Sequence, residues 1–377
     1  MKPIVKYELK KGVSVAIILS IISIFIWFIS FEQQMMWTTD NYIDIKLGNG
    51  GQINSSFMDI VMSAKLFVVA LGMNILVSMQ FKNEKDTGTG DFIAALPYTQ
   101  KQRFYNKMLT GIMVVFVTFI VSMITGYVLY GKYGYYQEVL YKTSLFDNEI
   151  RSITSFASVA LVILNVHIVI FLYYLLLVIV QYSVKSSKVG LIIGTLIPAS
   201  AICILQGMYM YFDMWLGRGN ISYYSLSVQQ DISNLMRSQN FITDLMIIAK
   251  PVEDRYVKLL DNQYTYIRCG ISKNYIYGLI VLILAVVVLF SIANILASKY
   301  GLRWYKRFFV NKPVEVIFQI VTTICSTFIP FYCAIIIKNG TENYDLQNHL
   351  IITTVAMIIA AFIGYLISHK IVEGGRG

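Results

Sequence analysis

The chain has 377 residues, 56% of them hydrophobic and 14% charged, and a mean hydropathy of +0.62. A water-soluble domain carries about 25% charged residues; here the apolar residues come in blocks of about twenty, the length that crosses a bilayer. The net charge of +10 lies between those blocks, so it reports topology and contact with anionic membrane lipids, and argues against nucleic acid as a partner.

Eight blocks are long enough to span, because a helix in lipid must satisfy its own backbone. They fall at about 12–31, 57–81, 108–130, 154–182, 189–212, 275–297, 316–337 and 350–368. The fold class is an all-α polytopic membrane protein. The first block follows Lys2, Lys6, Lys10 and Lys11. It resembles a signal peptide in its charged start, but its length and the lack of a small-x-small site predict an uncleaved first helix. Lys65, in the second block, is expected to snorkel to the outer headgroups.

The connection 82–107 reads KNEKDTGTGDFIAALPYTQKQRFYNK. Phe92, Ile93 and Leu96 lie at i, i+1 and i+4, and Pro97 ends the run, which predicts a short helix with one apolar face. Such a face either tucks under its own bundle or docks on another subunit. The fourth block carries Asn165 and His167 near its middle. A neutral ring bonding between helices is the simpler account, and a place on a transport path the alternative.

Segment 213–272 is too long for a simple connection. Ser227 and Gln230 form a capping box before Val228, Ile232, Leu235 and Met236. After Pro251, Val252, Tyr256, Val257 and Leu260 suggest a second amphipathic helix at the outer leaflet. Three parts result: 1–212, with helices one to five and the loop 82–107; the extracytoplasmic segment 213–272; and 273–377, with helices six to eight. Eight spans put both termini on one side. If that side is the cytoplasm, the inner segments hold eighteen Lys and Arg against five in the short outer loops. That bias sets the orientation.

No phosphate-binding loop occurs, so nothing here holds ATP in that manner. His167, His349 and His369 are too scattered for zinc, and the four cysteines read as packing residues. Gly88-Thr89-Gly90-Asp91 imitates the G-x-G-D string of intramembrane aspartyl proteases. That chemistry needs a second carboxylate within the membrane, and no block supplies one.

The basic start Tyr7-Glu8-Leu9-Lys10-Lys11, then Glu84, Gly88-Thr89, Leu96-Pro97 and Lys107, resemble the permease subunits of type 2 ABC transporters, the exporter-like class of bacteria. The resemblance covers roughly residues 1–110. It implies an N-terminal elbow helix and a coupling helix that seats on a separate ATPase. Phe92, Ile93 and Leu96 would be the docking face, with Glu84, Gly88, Thr89, Pro97 and Lys107 shaping the loop. It further implies a non-catalytic subunit in a bacterial plasma membrane, ATP and Mg held by the partner ATPase, and a second permease copy or paralogue. Family members commonly have six spans, so helices seven and eight would be an addition. Few ionisable groups in a wide apolar bundle favour an amphipathic cargo such as a peptide antibiotic, drug or lipid. The other classes are a secondary carrier or channel, with Lys65, Asn165 and His167 on its path, and a membrane scaffold or sensor.

Overall fold

The computed structural model describes residues 6–25, 28, 72–85, 97–142, 156–195, 197, 207, 208, 211, 252–258, 264–271, 275–299, 309, 312–340 and 350–374. Among them are eight helices: α1 (6–25), α2 (72–85), α3 (Gln100–Lys142), α4 (Phe156–Ser183), α5 (187–195), α6 (Tyr275–Lys299), α7 (Lys312–Gly340) and α8 (Leu350–Gly374). Five of these, α3, α4, α6, α7 and α8, are long and apolar enough to cross a membrane. The chain is therefore helical and of membrane type. In α4, 72% of the apolar window is buried, against 11% in α6, so α4 is a packed interior helix. α6 presents Ile276, Ile280, Leu284 and Val288 outward, which only lipid or a neighbouring apolar surface can accept.

Three expectations change. The expected elbow is continuous with the first apolar block, since residues 6–25 are helical without a break. Glu8 and Gly12 are buried one turn apart, so Tyr7-Glu8-Leu9-Lys10-Lys11 forms the opening turns of α1. No glycine or proline pair interrupts it to make a bend. Next, α3 has 43 residues, about 64 Å at 1.5 Å per residue, far beyond the expected 108–130. Its start is fixed by a capping box after Pro97: Gln102 N donates to Thr99 Oγ1, and Thr99 N donates to Gln102 Oε1, both at 3.2 Å.

Finally, the expected helix after Pro251 is a strand. Val252–Lys258 (β1) pairs antiparallel with Tyr264–Ile271 (β2), Tyr256 opposite Tyr266, with an irregularity between Val252 and Asp254. β1 carries Val252, Tyr256 and Val257, and β2 carries Tyr264, Thr265, Tyr266, Ile267 and Ile271; β-branched and aromatic residues fit a pleated surface better than a helix. The expected helix at 227–236 lies outside the described residues, as do 57–71.

The chain divides into two compact units, one of residues 1–80, 97–176 and 242–294, the other of 81–96, 177–241 and 295–377. In the first, Lys11 Nζ meets Met79 O at 3.1 Å, and a Cβ on Gly72 would overlap Leu19, so α1 and α2 run antiparallel. Glu8 faces Lys107 and Gly12 faces Thr110, so α1 and α3 run parallel. Lys107 faces Tyr174 and Ser122 faces His167, so α3 and α4 run antiparallel.

In the second unit, Gln181 lies against Gly190 and Leu177 against Gly194, which folds α5 back along α4. Gln319 meets His369, and Gly364 sits against Ser326, making α7 and α8 an antiparallel hairpin. One apolar cluster joins Phe328, Phe331, Ala334 and Met357, with Tyr211 packed on it. Another joins Val180, Val184, Phe309 and Val372. Burial of these side chains against one another is dispersion and close packing; in a membrane the surrounding lipid is equally apolar, so shape decides.

Candidate functional site

Segment 86–96, with Gly88, Thr89, Phe92, Ile93 and Leu96, lies outside the described residues; the helical ends that flank it are described. Gln80 ends the apolar run of α2 and Lys107 stands two turns into α3. Gln80 Nε2 donates to Lys107 O at 3.2 Å, and Lys107 Nζ donates to Gln80 O at 2.9 Å. Each residue gives to the other's backbone, so the base of the intervening chain is clasped by two reciprocal bonds. Both residues are buried, Lys107 at 1% exposure.

Tyr174 of α4 closes the clasp. Its hydroxyl lies 2.8 Å from Lys107 O and 3.1 Å from Gln80 Oε1, its single proton serving one of them at a time. Gly111, one turn beyond Lys107, makes room for that ring, because a Cβ there would overlap it. A buried ammonium needs a counter-charge. It comes from α1, where Glu8, 4% exposed, places Oε1 3.6 Å from Lys107 Nζ and 3.5 Å from Lys11 Nζ. Lys11 continues to Met79 O and lies over the Tyr7 ring at 4.1 Å. Four helices thus meet at Lys107, bound by one tight clasp and one looser ionic contact.

The other unit fixes the end of α2 separately. Lys85 Nζ donates to Gln181 O, to Gln181 Oε1 at 2.8 Å and to Val184 O at 2.6 Å. These acceptors sit at the C-terminal end of α4, which has no basic residue in its own last turn. An ammonium has three donors to match three acceptors, and a helix C-terminus carries partial negative charge. Burial pulls the Lys85 ammonium from 10.5 down to about 7, with Glu84 opposing. Phe81 packs edge-on against Tyr182 at 5.2 Å.

Of the expected loop-shaping residues, Glu84 is buried at the end of α2, Pro97 is exposed ahead of the α3 cap, and Lys107 is interior, joined to α1 and α2. Lys65 lies outside the described residues. Asn165 and His167 are both buried in α4. The His167 ring has Nδ1 2.7 Å from Ile163 O, a turn back on the same helix, and Nε2 3.5 Å from Ser122 Oγ, with Phe119 edge-on at 5.4 Å. The ring thus links α4 to Ser122 of α3.

Sequence reading gave no site role to Glu8, Gln80, Lys85 or Tyr174, Glu8 entering only within the basic start Tyr7-Glu8-Leu9-Lys10-Lys11. Glu8 carried a signal, a lone acid in a basic opening, and Gln80 another, a polar residue closing an apolar block. Tyr174 carried none, being one aromatic among many. No group of three or more His, Cys, Asp or Glu among the described residues could hold a metal ion. Compared with protein-family models, curated proteins and solved structures, the chain matches none.

Proposed function

We propose that this chain is the membrane-spanning permease subunit of an ATP-driven exporter. It has eight spans and both termini in the cytoplasm of a bacterium, and it moves an amphipathic substrate. In this reading segment 86–96 presents Phe92, Ile93 and Leu96 to a separate ATPase, which holds ATP and Mg, and a second copy or a paralogue completes the pore. The observation that carries it is the Gln80–Lys107 clasp, with Lys107 1% exposed. A loop that only connects two helices needs no buried, reciprocally bonded base, whereas a loop that receives force does. His167 is engaged by Ile163 O and Ser122, which leaves a carrier reading without a free ionisable group at that position.

The test is purification of the tagged chain in mild detergent beside a Leu96→Asp variant. An ATPase that copurifies with the native chain and is lost with the variant supports docking at this segment. A native chain that brings no ATPase, under conditions that keep known transporter complexes whole, refutes it.

A further inference from the structure

We propose that the outward face of α1 binds an anionic phospholipid, with Lys6 and Lys10 holding the headgroup phosphate and Val13, Ile17, Ile21 and Ile24 receiving an acyl chain. The two faces of α1 differ in character. Glu8, Gly12, Val15, Ala16 and Leu19 are buried, with Gly12 against Thr110 of α3 and Leu19 against Gly72 of α2. That packing fixes the rotation of the helix and so decides which residues point away. Lys6, Lys10, Val13, Ile17, Ile21 and Ile24 are exposed and recur every three or four residues, which puts them on one stripe opposite the packed face.

Charge is sorted between the same two faces. Glu8 is the one acid among residues 6–25, and it is turned inward, 3.6 Å from Lys107 Nζ and 3.5 Å from Lys11 Nζ. Its charge is compensated there, so the outward stripe opens on two cations one turn apart. Tyr7, 49% exposed, stands beside them, an aromatic of the kind that settles at headgroup level. The Ser14 hydroxyl donates to Lys10 O at 3.1 Å, which leaves an acyl chain no unmet donor at that turn.

The dimensions suit a lipid. From Val13 to Ile24 the stripe runs about 16 Å at about 1.5 Å per residue, close to half of a hydrocarbon core of about 30 Å. Lysine stems lie along apolar surface while their ammonium groups stay at the phosphate level. In a zwitterionic lipid the headgroup's own cation cancels the phosphate, so two ammonium groups select a headgroup of net negative charge. The other described helices lack such a pair. The exposed stripe of α3 opens on Lys101 before Tyr105, Leu109 and Ile112, and that of α7 on Lys312 before Val316 and Ile320. On α8, exposed Lys370 has exposed Glu373 within a turn.

The experiment is fluorescence quenching on the full chain, its four native tryptophans replaced by Phe. One tryptophan is introduced by Val13→Trp or, for comparison, by Leu109→Trp, both at exposed positions. Each protein is reconstituted in dioleoylphosphatidylcholine vesicles with increasing brominated phosphatidylglycerol or brominated phosphatidylcholine, and the two quenching curves give the relative affinity at that position. One nearby lysine favours an anionic lipid by about fivefold and two by about thirtyfold. Val13→Trp should therefore prefer phosphatidylglycerol by about thirtyfold and Leu109→Trp by about fivefold. Lys6→Gln with Lys10→Gln should abolish the preference at Val13→Trp and leave that at Leu109→Trp, whereas Lys6→Arg with Lys10→Arg should retain both. A preference at Val13→Trp that survives the loss of both lysines overturns the proposal. So does a loss of equal size at both positions, which would be general membrane electrostatics. Absence of quenching at Val13→Trp by either lipid overturns it as well, because a protein surface such as a second copy would then cover α1.

Discussion

Replacing Lys107 by Met keeps the length of the side chain and deletes its charge. Two losses follow. The bond to Gln80 O at 2.9 Å is charge-assisted, worth about 1.5–3 kcal/mol. Glu8, 4% exposed, is left with Lys11 alone at 3.5 Å. Removing one member of a buried pair costs about 3–5 kcal/mol, and because the two losses share one ammonium, Lys107→Met should destabilise by about 4 kcal/mol. Glu8→Gln removes the carboxylate 3.6 Å from the buried Lys107 ammonium and should cost about 3 kcal/mol. In the double variant no charge is stranded at this pair, so its cost should fall short of the sum by about 2 kcal/mol or more. Reversible unfolding in mixed micelles on an SDS gradient, followed by tryptophan fluorescence, gives all three values. Additivity within about 0.5 kcal/mol would show that the charges do not sense each other, and the Glu8–Lys107 ion pair would be dismissed as a source of stability.

Gly364→Ala places a Cβ on Ser326 Oγ where α8 meets α7, whereas Gly131 has nothing within 4 Å. The first should cost about 1–3 kcal/mol and the second stabilise by about 0.5–1 kcal/mol; equal effects in the same unfolding assay would refute the close packing of the hairpin. Because burial lowers Lys85 to about 7 from 10.5, the unfolded chain binds more protons between those values, and stability should rise with pH across that window. Lys85→Met should flatten the rise, and an identical slope would dismiss Lys85 as its source. His167→Phe deletes a donor to Ile163 O and should cost about 1 kcal/mol while ATP turnover of the assembled complex is unchanged; abolished turnover with normal folding would put His167 on the path.

Membrane character was legible because bilayer thickness imposes a length on every apolar block, and that constraint acts residue by residue. The blocks at 275–297 and 350–368 emerge as α6 and α8 with starts displaced by no residue. The ends of α3 were misread because hydropathy marks where lipid ends, and a helix continues for as long as its backbone is capped. Thr99-x-x-Gln102 after Pro97 was a readable start, masked by the polar character of the segment. The hairpin was missed for a different reason. Val252, Tyr256 and Val257 fit a helical stripe in a short window, and only the Tyr264–Ile271 partner, rich in β-branched and aromatic residues, resolves the period. Within the site, Lys107 was visible as a charge near a helix start. Its burial depends on Glu8, Gln80 and Tyr174, which are 99, 27 and 67 residues away. No local pattern encodes such a meeting.

The charge bias and the buried lysines make separate demands on the same residues, and the demands are compatible in sequence of events. Orientation is set by Lys and Arg flanking each block as it enters the membrane, before helices pack; a lysine that retains its helix during insertion can later be enclosed. Lys11, Lys85 and Lys107 are all engaged in contacts between helices in the folded chain, whereas Lys6, Lys10, Lys82, Lys101, Lys185 and Lys188 stay exposed. Under the proposed eight-span topology, fifteen inner charges would still face five outer ones without those three, and the orientation it assigns would not depend on them. They are free to serve the base of segment 86–96, where a charge is costly to bury and, once paired, costly to move.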